Sequence, residues 1–311
     1  MKSYIETYLI IKPLLINSNN NTKNNSTNIS TLSSYIHNNN NINDDSFSET
    51  NGNSINSNSI EYDINKNIFS IKIPENLRTG YVNNLKKTYD FHFNGIFDVS
   101  STQEEIFEII GKKVIKNSIE GYNSTVFCYG QTGSGKTYTM CGSKNWRERG
   151  IIPRLLINLF KKIRELKNIK FDVFISYMEI YNENAYDLFD KSHFREPLEN
   201  WRKIIVYEDN YGNIMLKNIS MIKVENEQQT LDLLVTGNYI RHASNTSMNL
   251  ANSRSHSIFS LVIEGKDKNI EIMRLSKINL VDLTGSERLK TNNKNDSILM
   301  KQNIVNNIYK Y

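Results

Sequence analysis

A glycine-rich segment in the middle of the chain has the residue types and spacing of a phosphate-binding loop. Its sequence, Gly130-Gln-Thr-Gly-Ser-Gly-Lys-Thr137, fits the pattern G-x-x-x-x-G-K-[ST]. In such a loop the glycines let backbone N–H groups surround phosphate oxygens. The lysine neutralises the β and γ phosphates, and the last hydroxyl binds Mg2+. We therefore predict a site for a nucleoside triphosphate and Mg2+, formed by Gly130, Gln131, Thr132, Gly133, Ser134, Gly135, Lys136 and Thr137.

Two later segments carry groups that could act on a bound triphosphate. Asn249-Leu-Ala-Asn-Ser-Arg-Ser-His256 places hydroxyls and an arginine before a predicted strand, and Asp282-Leu-Thr-Gly-Ser-Glu-Arg288 follows the most apolar strand. In a phosphate-loop enzyme, an acid at such a strand end lies near the Mg2+ shell, and the glycine beyond it can reach the γ-phosphate. Taken alone, the first segment could be a polar loop with helix-capping serines, and the second an ordinary Asx-turn. Their presence beside the phosphate loop favours a nucleotide-linked role for both.

The elements that must position these groups alternate between strands and helices, which is typical of the α/β class with a layered sheet. Alternating or continuous apolar runs predict strands, and apolar residues at helical spacing predict helices. The predicted strands run from Tyr8 to Pro13 and over 124–129, 171–180, 257–263 and 277–283, with a hairpin over 60–73 at the edge of the same sheet. The predicted helices begin at the capping box Thr102-Gln-Glu-Glu105 and at Pro153, and cover 227–236 and 296–308.

The composition limits the class of protein. The net charge of +5 permits an acidic partner without requiring one, and only 38% of the residues are hydrophobic. Residues 17–59 are mostly Asn, Ser and Thr, so we interpret this tract as a disordered insertion that cannot form a core. Cys128 and Cys141 form no CxxC pair, so neither a disulfide framework nor a zinc site is expected. No apolar run reaches the length of a membrane helix, and we expect a soluble intracellular protein.

The sequence resembles the kinesin motor domain over most of residues 88–291. The resemblance rests on strings that occur in the family's order, namely VFCYGQTGSGKTYTM (126–140), GIIPR (150–154), ISYMEIYNEN (175–184), NLANSRSH (249–256) and SKINLVDLTGSER (276–288). It implies a P-loop NTPase of kinesin type, in which a central mixed β-sheet is flanked by helices on both faces. Catalysis would then depend on positioning and charge stabilisation, with water as the nucleophile.

The resemblance also implies roles for the matching residues. The residues 249–254 fall on switch I, whose serine approaches Mg2+ and the attacking water, and 282–287 fall on switch II, whose glycine N–H senses the γ-phosphate. An ion pair between the switches closes over the nucleotide. The implied catalytic residues are Ser253, Arg254, Gly285 and Glu287, and the implied Mg2+ residues are Thr137, Ser253 and, through water, Asp282. The further nucleotide contacts are Tyr138, Pro13 and Asn249.

The chain departs from the family pattern at a few positions. Asn252 stands where the family has a serine, Thr284 replaces an alanine, and Ile10 replaces an arginine that lies against adenine. The sequence stops at Tyr311, near the middle of the family's relay helix. We therefore expect residues 1–311 to form an incomplete motor domain whose C-terminal part is missing and which carries the insertion 17–59.

The function that follows is an ATP-binding and ATP-hydrolysing microtubule motor domain, located in the cytoplasm on the cytoskeleton. ATP and Mg2+ are the expected cofactors, and the microtubule (tubulin) is the expected partner. No nucleic acid and no membrane insertion are expected, and any dimer would form through segments outside this chain. The alternative is a nucleotide- or tubulin-binding module without a productive motor cycle, which differs in whether microtubules stimulate hydrolysis. An unrelated P-loop enzyme, such as a small-molecule kinase, is disfavoured by the paired switches.

Overall fold

The structure, a computed structural model, describes residues 5–12, 60–73, 87–194, 196, 200–246, 255–268 and 273–286. The predicted insertion 17–59 and the predicted helix 296–308 lie outside these ranges. The same is true of the predicted site residues Pro13, Asn249, Ser253, Arg254 and Glu287. The chain divides into two compact units, Met1–Thr102 and Gln103–Tyr311.

The described part of the first unit contains two small sheets. Strand β1 (Tyr8–Ile10) pairs in parallel with β5 (Gly95–Phe97), while β2 (Ile60–Asp63), β3 (Ile68–Lys72) and β4 (Thr88–His92) form an antiparallel sheet. The hairpin predicted over 60–73 is confirmed. Its predicted position at the edge of the same sheet as the Tyr8 strand is wrong for the described residues, because β2, β3 and β4 form a sheet of their own.

The second unit is built on a mixed sheet with eight described strands. They are β6 (Ser124–Cys128), β7 (Ile169–Tyr181), β8 (Asn184–Asp187), β9 (Lys203–Glu208), β10 (Ile214–Lys217), β11 (Ile222–Val224), β12 (Ser255–Asp267) and β13 (Met273–Asp282). Their order is β10-β9-β8-β7-β12-β13-β6, and β11 pairs with β7. Only the β13–β6 pair is parallel within this described sheet. The four strands predicted between residues 124 and 283 are therefore confirmed.

The central strands of this sheet are covered on both faces. Leu280 and Val281 of β13 are adjacent in the chain, and both are at most 1% exposed. Ile258 and Phe259 of the neighbouring β12 are likewise both buried. Because successive side chains of a strand point to opposite faces, both faces of the sheet must be packed against other elements. This confirms the layered architecture that the near-continuous apolar pattern of residues 277–283 predicts.

Helices in the second unit follow the predicted positions closely. Helix α1 comprises Gln103–Ile106, a π-helical turn Phe107–Gly111, and Lys112–Ile119. The others are α2 (Lys136–Met140), α3 (Ile151–Glu165) and α4 (Glu227–Thr246). Pro153 lies in the first turn of α3, where a missing N–H costs no intrahelical hydrogen bond. Among the described helices, none combines the length and apolar character that crossing a bilayer requires.

Helix α4 extends well beyond the predicted end at residue 236, and the side chain of Tyr177 connects it to the sheet. Tyr177 of β7 is 1% exposed, and its hydroxyl donates a hydrogen bond to Asn238 Oδ1 at 2.7 Å. The Tyr177 ring also makes edge-to-face contact with Phe259 of β12 at a centroid distance of 5.3 Å. Tertiary packing therefore sustains α4 beyond residue 236, where the local apolar pattern is interrupted by Gly237 and Arg241.

Candidate functional site

The phosphate loop joins the end of β6 to the start of α2, as its sequence predicts. Gly133 and Gly135 have φ angles of +81° and +98°, in the left-handed region that glycine adopts at little cost. A Cβ atom added to either glycine would meet no atom within 4 Å. The loop therefore forms an open cradle, and side chains at these two positions would project into it.

Lys136, the first residue of α2, is held against the carbonyl side of the loop. Its Nζ donates hydrogen bonds to the carbonyl oxygens of Gly130 and Gln131, both at 2.9 Å. These two contacts keep the ammonium group beside the cradle that the loop surrounds. Because a lysine side chain has rotatable carbons, the same group can turn toward a bound phosphate without movement of the backbone.

Asp282 meets the phosphate loop at the end of β13. Its backbone pairs with Cys128 of β6, and this places the acid level with the start of the loop. The Thr137 hydroxyl donates a hydrogen bond to Asp282 Oδ2 at 2.8 Å. The other carboxylate oxygen, Oδ1, is buried and has no hydrogen-bond partner among the described residues.

A cavity of about 320 Å3 lies between the phosphate loop and the segment that leaves β13. It is lined by Thr132, Gly133, Gly135, Lys136, Thr137, Tyr138, Asp282, Leu283, Thr284 and Gly285. Ions such as Mg2+ take oxygen ligands in octahedral geometry and keep several waters, so one hydroxyl and one carboxylate suit Mg2+ when phosphate supplies the rest. Thr137 and Asp282 both line this cavity, and their side-chain oxygens fit Mg2+ on these grounds.

Two backbone hydrogen bonds tie the segment after β13 to its surroundings. The Ser286 N–H donates to the Gly130 carbonyl at 3.0 Å, and so links this segment to the first residue of the phosphate loop. The Thr284 N–H donates to His256 Nδ1 at 3.2 Å, which requires that nitrogen to be unprotonated. Burial, with the nearby Arg241 guanidinium, lowers the pKa of His256, whereas Asp282 opposes the shift. The imidazole is therefore neutral at neutral pH and accepts this bond.

A buried ion-pair network, which the sequence did not predict, includes Asp282. Arg241 of α4 approaches Asp282 Oδ2 with its NH1 atom at 3.1 Å and Glu179 Oε1 with its Nε atom at 3.6 Å. The three side chains are at most 7% exposed. Burial raises the pKa of Glu179, and the Arg241 charge opposes that shift. The sequence signal that could have indicated this network is the position of Arg241 on the buried face of α4. An arginine on such a face is almost always paired with an acid.

The two cysteines lie close to this network as free thiols. Burial raises the pKa of Cys128 and of Cys141 to about 12, and the Asp282 charge acts in the same direction. Both thiols are therefore protonated at neutral pH and add no negative charge beside the phosphate loop.

The structure brings together eight predicted residues around one cavity, namely Thr132, Gly133, Gly135, Lys136, Thr137, Tyr138, Asp282 and Gly285. The predicted loop residues Gly130, Gln131 and Ser134 are not among the residues that line it. Pro13, Asn249, Ser253, Arg254 and Glu287 lie outside the described residues, so their predicted contacts stay predictions. The phosphate-loop residues and Asp282 are separated by about 145 positions in the chain, as the Thr137–Asp282 contact shows. Only the pairing of β6 with β13 makes them neighbours.

Comparison with known proteins identifies the family of this fold. The sequence-family model of the kinesin motor domain matches residues 11–308, which is most of the chain. The chain belongs to the kinesin motor-domain family. A solved structure of a fast kinesin aligns with a TM-score of 0.66 and 30% sequence identity, covering 80% of this chain and 65% of that chain. The kinesin-type P-loop fold, with a mixed sheet and helices, is thus confirmed.

Several kinesin-like proteins are similar in sequence. Kinesin-like protein KIF9 of Homo sapiens is 35% identical over 250 residues, which cover 79% of this chain and 31% of that protein. Kinesin-like protein KIP1 of Saccharomyces cerevisiae is 36% identical over 245 residues, covering 71% of this chain and 22% of that protein. The chain thus spans less than a third of the length of these relatives. The family consists of microtubule motors that are ATPases and bind nucleotide with Mg2+.

Proposed function

We propose that this chain binds ATP with Mg2+ and hydrolyses it as part of a microtubule-dependent motor. The observation that carries the proposal is the contact between Thr137 and Asp282 across the mouth of the glycine cradle. This contact joins the phosphate loop, which would bind the phosphates, to the end of β13, which would respond to the γ-phosphate. In a kinesin, such a junction is where nucleotide state is converted into movement of the switches.

Each described residue has a distinct task in this proposal. The N–H groups of the loop and the Lys136 ammonium bind the β and γ phosphates. The Thr137 hydroxyl and, through water, the Asp282 carboxylate would hold Mg2+. When bound, Mg2+ neutralises charge that develops on the phosphate oxygens. Gly285 lines the cavity, and its N–H would donate to the γ-phosphate.

The residues outside the described ranges complete the proposal through the family resemblance. Ser253 would orient the attacking water, and the ion pair of Arg254 with Glu287 would close the switches over the nucleotide. Catalysis then comes from positioning and charge stabilisation, without a dedicated histidine base. We further propose the microtubule (tubulin) as partner and the cytoplasmic microtubule cytoskeleton as location. A dimer would form through segments beyond this chain.

The nucleotide part is tested by Lys136→Ala, with Lys144→Ala as the matched control. Lys144 is an exposed lysine shortly after α2 that does not line the cavity. We expect Lys136→Ala to lose binding of a fluorescent ATP analogue and Lys144→Ala to keep it. Equal binding by both variants would show that the cradle does not hold the phosphates.

The hydrolytic and motor parts need a second measurement, which is phosphate release with and without microtubules. We expect Glu287→Ala to bind ATP without turning it over, and the unmodified protein to be stimulated by microtubules. Normal turnover by Glu287→Ala would refute the switch assignment. Turnover that microtubules leave unchanged would favour the alternative, a nucleotide- or tubulin-binding module without a productive motor cycle.

A further inference from the structure

A buried arginine lies behind the proposed Mg2+ site and contacts two acids on different strands. Arg241 NH1 is 3.1 Å from Asp282 Oδ2, and its Nε is 3.6 Å from Glu179 Oε1. The exposed fractions of the Arg241, Glu179 and Asp282 side chains are 7%, 2% and 4%. At such depth an isolated carboxylate is strongly disfavoured, so the guanidinium is what permits the two acids to remain there.

The sheet register explains how one side chain reaches both acids. Ser257 of β12 pairs with Glu179 of β7 on one side and with Asp282 of β13 on the other. The three residues thus form one row across neighbouring strands, about 4.8 Å apart per strand. The small Ser257 occupies the middle position of the row. Arg241 reaches both ends, with NH1 donating a hydrogen bond to Asp282 and Nε lying at ion-pair distance from Glu179.

The same oxygen of Asp282 is shared by two donors from different elements. Asp282 Oδ2 accepts from Arg241 NH1 at 3.1 Å and from the Thr137 hydroxyl at 2.8 Å. With Oδ2 held in this way, the carboxylate is fixed in one orientation. Its other oxygen, Oδ1, has no hydrogen-bond partner within the described parts of the chain.

We propose that Arg241 is a positioning residue, which orients Asp282 for Mg2+ and connects the helix leading into 249–254 with the strand leading into 282–288. Helix α4 ends at Thr246, shortly before the first of these segments, and β13 ends at Asp282, where the second begins. This inference rests on the proposed function, because it takes Asp282 to bind Mg2+ through water. Outer partners that orient metal ligands typically contribute about 10–100-fold to metal affinity.

The test compares Arg241→Gln with Arg154→Gln in the full chain. Arg154 of α3 is equally buried, at 7% exposure, but donates to the backbone carbonyls of Arg149 and Arg147 and not to a carboxylate near the cavity. Retention of a fluorescent ADP analogue is measured while Mg2+ is titrated and also in EDTA. Thermal melting is recorded for each variant to report the purely structural loss.

Both substitutions should lower the melting temperature, but only Arg241→Gln should raise the Mg2+ concentration for half-maximal retention, by about 10-fold or more. Its binding in EDTA should match that of the unmodified protein. In an Asp282→Asn background, Arg241→Gln should add no further shift. If Arg241→Gln does not fold, Glu179→Gln, which frees Arg241 from its second partner, should show a smaller shift in the same direction.

The proposal would be overturned if Arg241→Gln showed the same Mg2+ dependence of nucleotide retention as Arg154→Gln. The same holds for Glu179→Gln where it replaces Arg241→Gln. A further shift by Arg241→Gln in the Asp282→Asn background would also overturn it, since Arg241 would then act through another group. If the unmodified protein itself shows no Mg2+ dependence, the proposed Mg2+ role of Asp282 fails together with this inference. That outcome is distinguished from the others because it needs no variant.

Discussion

Replacement of Gly237 by alanine should test whether α4 is fixed against the sheet as closely as the packing indicates. Gly237 lies in the interior of α4, where glycine is unfavourable relative to alanine by about 0.5–1 kcal/mol. A Cβ atom at this position would lie 2.4 Å from Tyr177 Cδ1 and 2.9 Å from Cε1. The glycine is therefore explained by close approach of the helix to the aromatic ring and not by backbone conformation.

The Tyr177 ring has little freedom to move away from the added methyl group. Phe259 and Phe189 contact it edge-on at centroid distances of 5.3 Å and 6.2 Å, and its hydroxyl donates to Asn238. Overpacking of a closed core costs about 1–3 kcal/mol. After subtraction of the gain in helix propensity, Gly237→Ala should reduce the free energy of unfolding by about 0–2.5 kcal/mol.

Urea unfolding followed by circular dichroism measures this loss, with Val235→Ala as the control. Val235 lies in the same helix and is 67% exposed, so its replacement should have little effect. Combining Gly237→Ala with Tyr177→Leu should remove the clash, so that Gly237→Ala becomes neutral or stabilising in that background. Increased stability of Gly237→Ala alone, or an equal loss in the Tyr177→Leu background, would refute the close packing of α4 on Tyr177.

Three further perturbations follow from the described contacts. His193 is buried and stacked on Trp201 at 3.9 Å, and burial lowers its pKa, with Asp190 opposing. Neutral His193 therefore stabilises the fold at pH values above its ordinary pKa. The stability of the unmodified protein relative to His193→Phe, measured by urea unfolding, should decrease as the pH falls from 7.5 to 5.5. An equal difference at both pH values would contradict this. Leu155→Ala, at a fully buried position of α3, should reduce the free energy of unfolding by about 2–5 kcal/mol. A loss well below that range would mean that neighbouring side chains fill the space left by Leu155. Arg164→Ala breaks an exposed ion pair with Glu227, so it should reduce the free energy of unfolding slightly in low salt and not at all in high salt. An equal loss of stability in high salt would show that the pair is not screened.

The chemistry of the phosphate loop was determined by the sequence alone. Its conformation depends on neighbouring residues, because Gly133 and Gly135 adopt positive φ angles that few other residues tolerate. The strand at 277–283 and the helix starting near Pro153 were predictable for the same reason. Continuous apolar runs and first-turn proline are local signals, and the final packing agrees with them.

Only the tertiary structure decided which distant groups meet. The pairing of β6 with β13 places Asp282 beside Thr137, and no local pattern specifies that register. The hairpin over 60–73 was recognisable, but its sheet was not, because strand partners depend on non-local hydrogen bonds. Arg241 shows most clearly what the sequence alone could not predict. Its residue type predicts exposure, yet two buried carboxylates hold it in the interior, and a paired charge can be buried only where the fold supplies its partners.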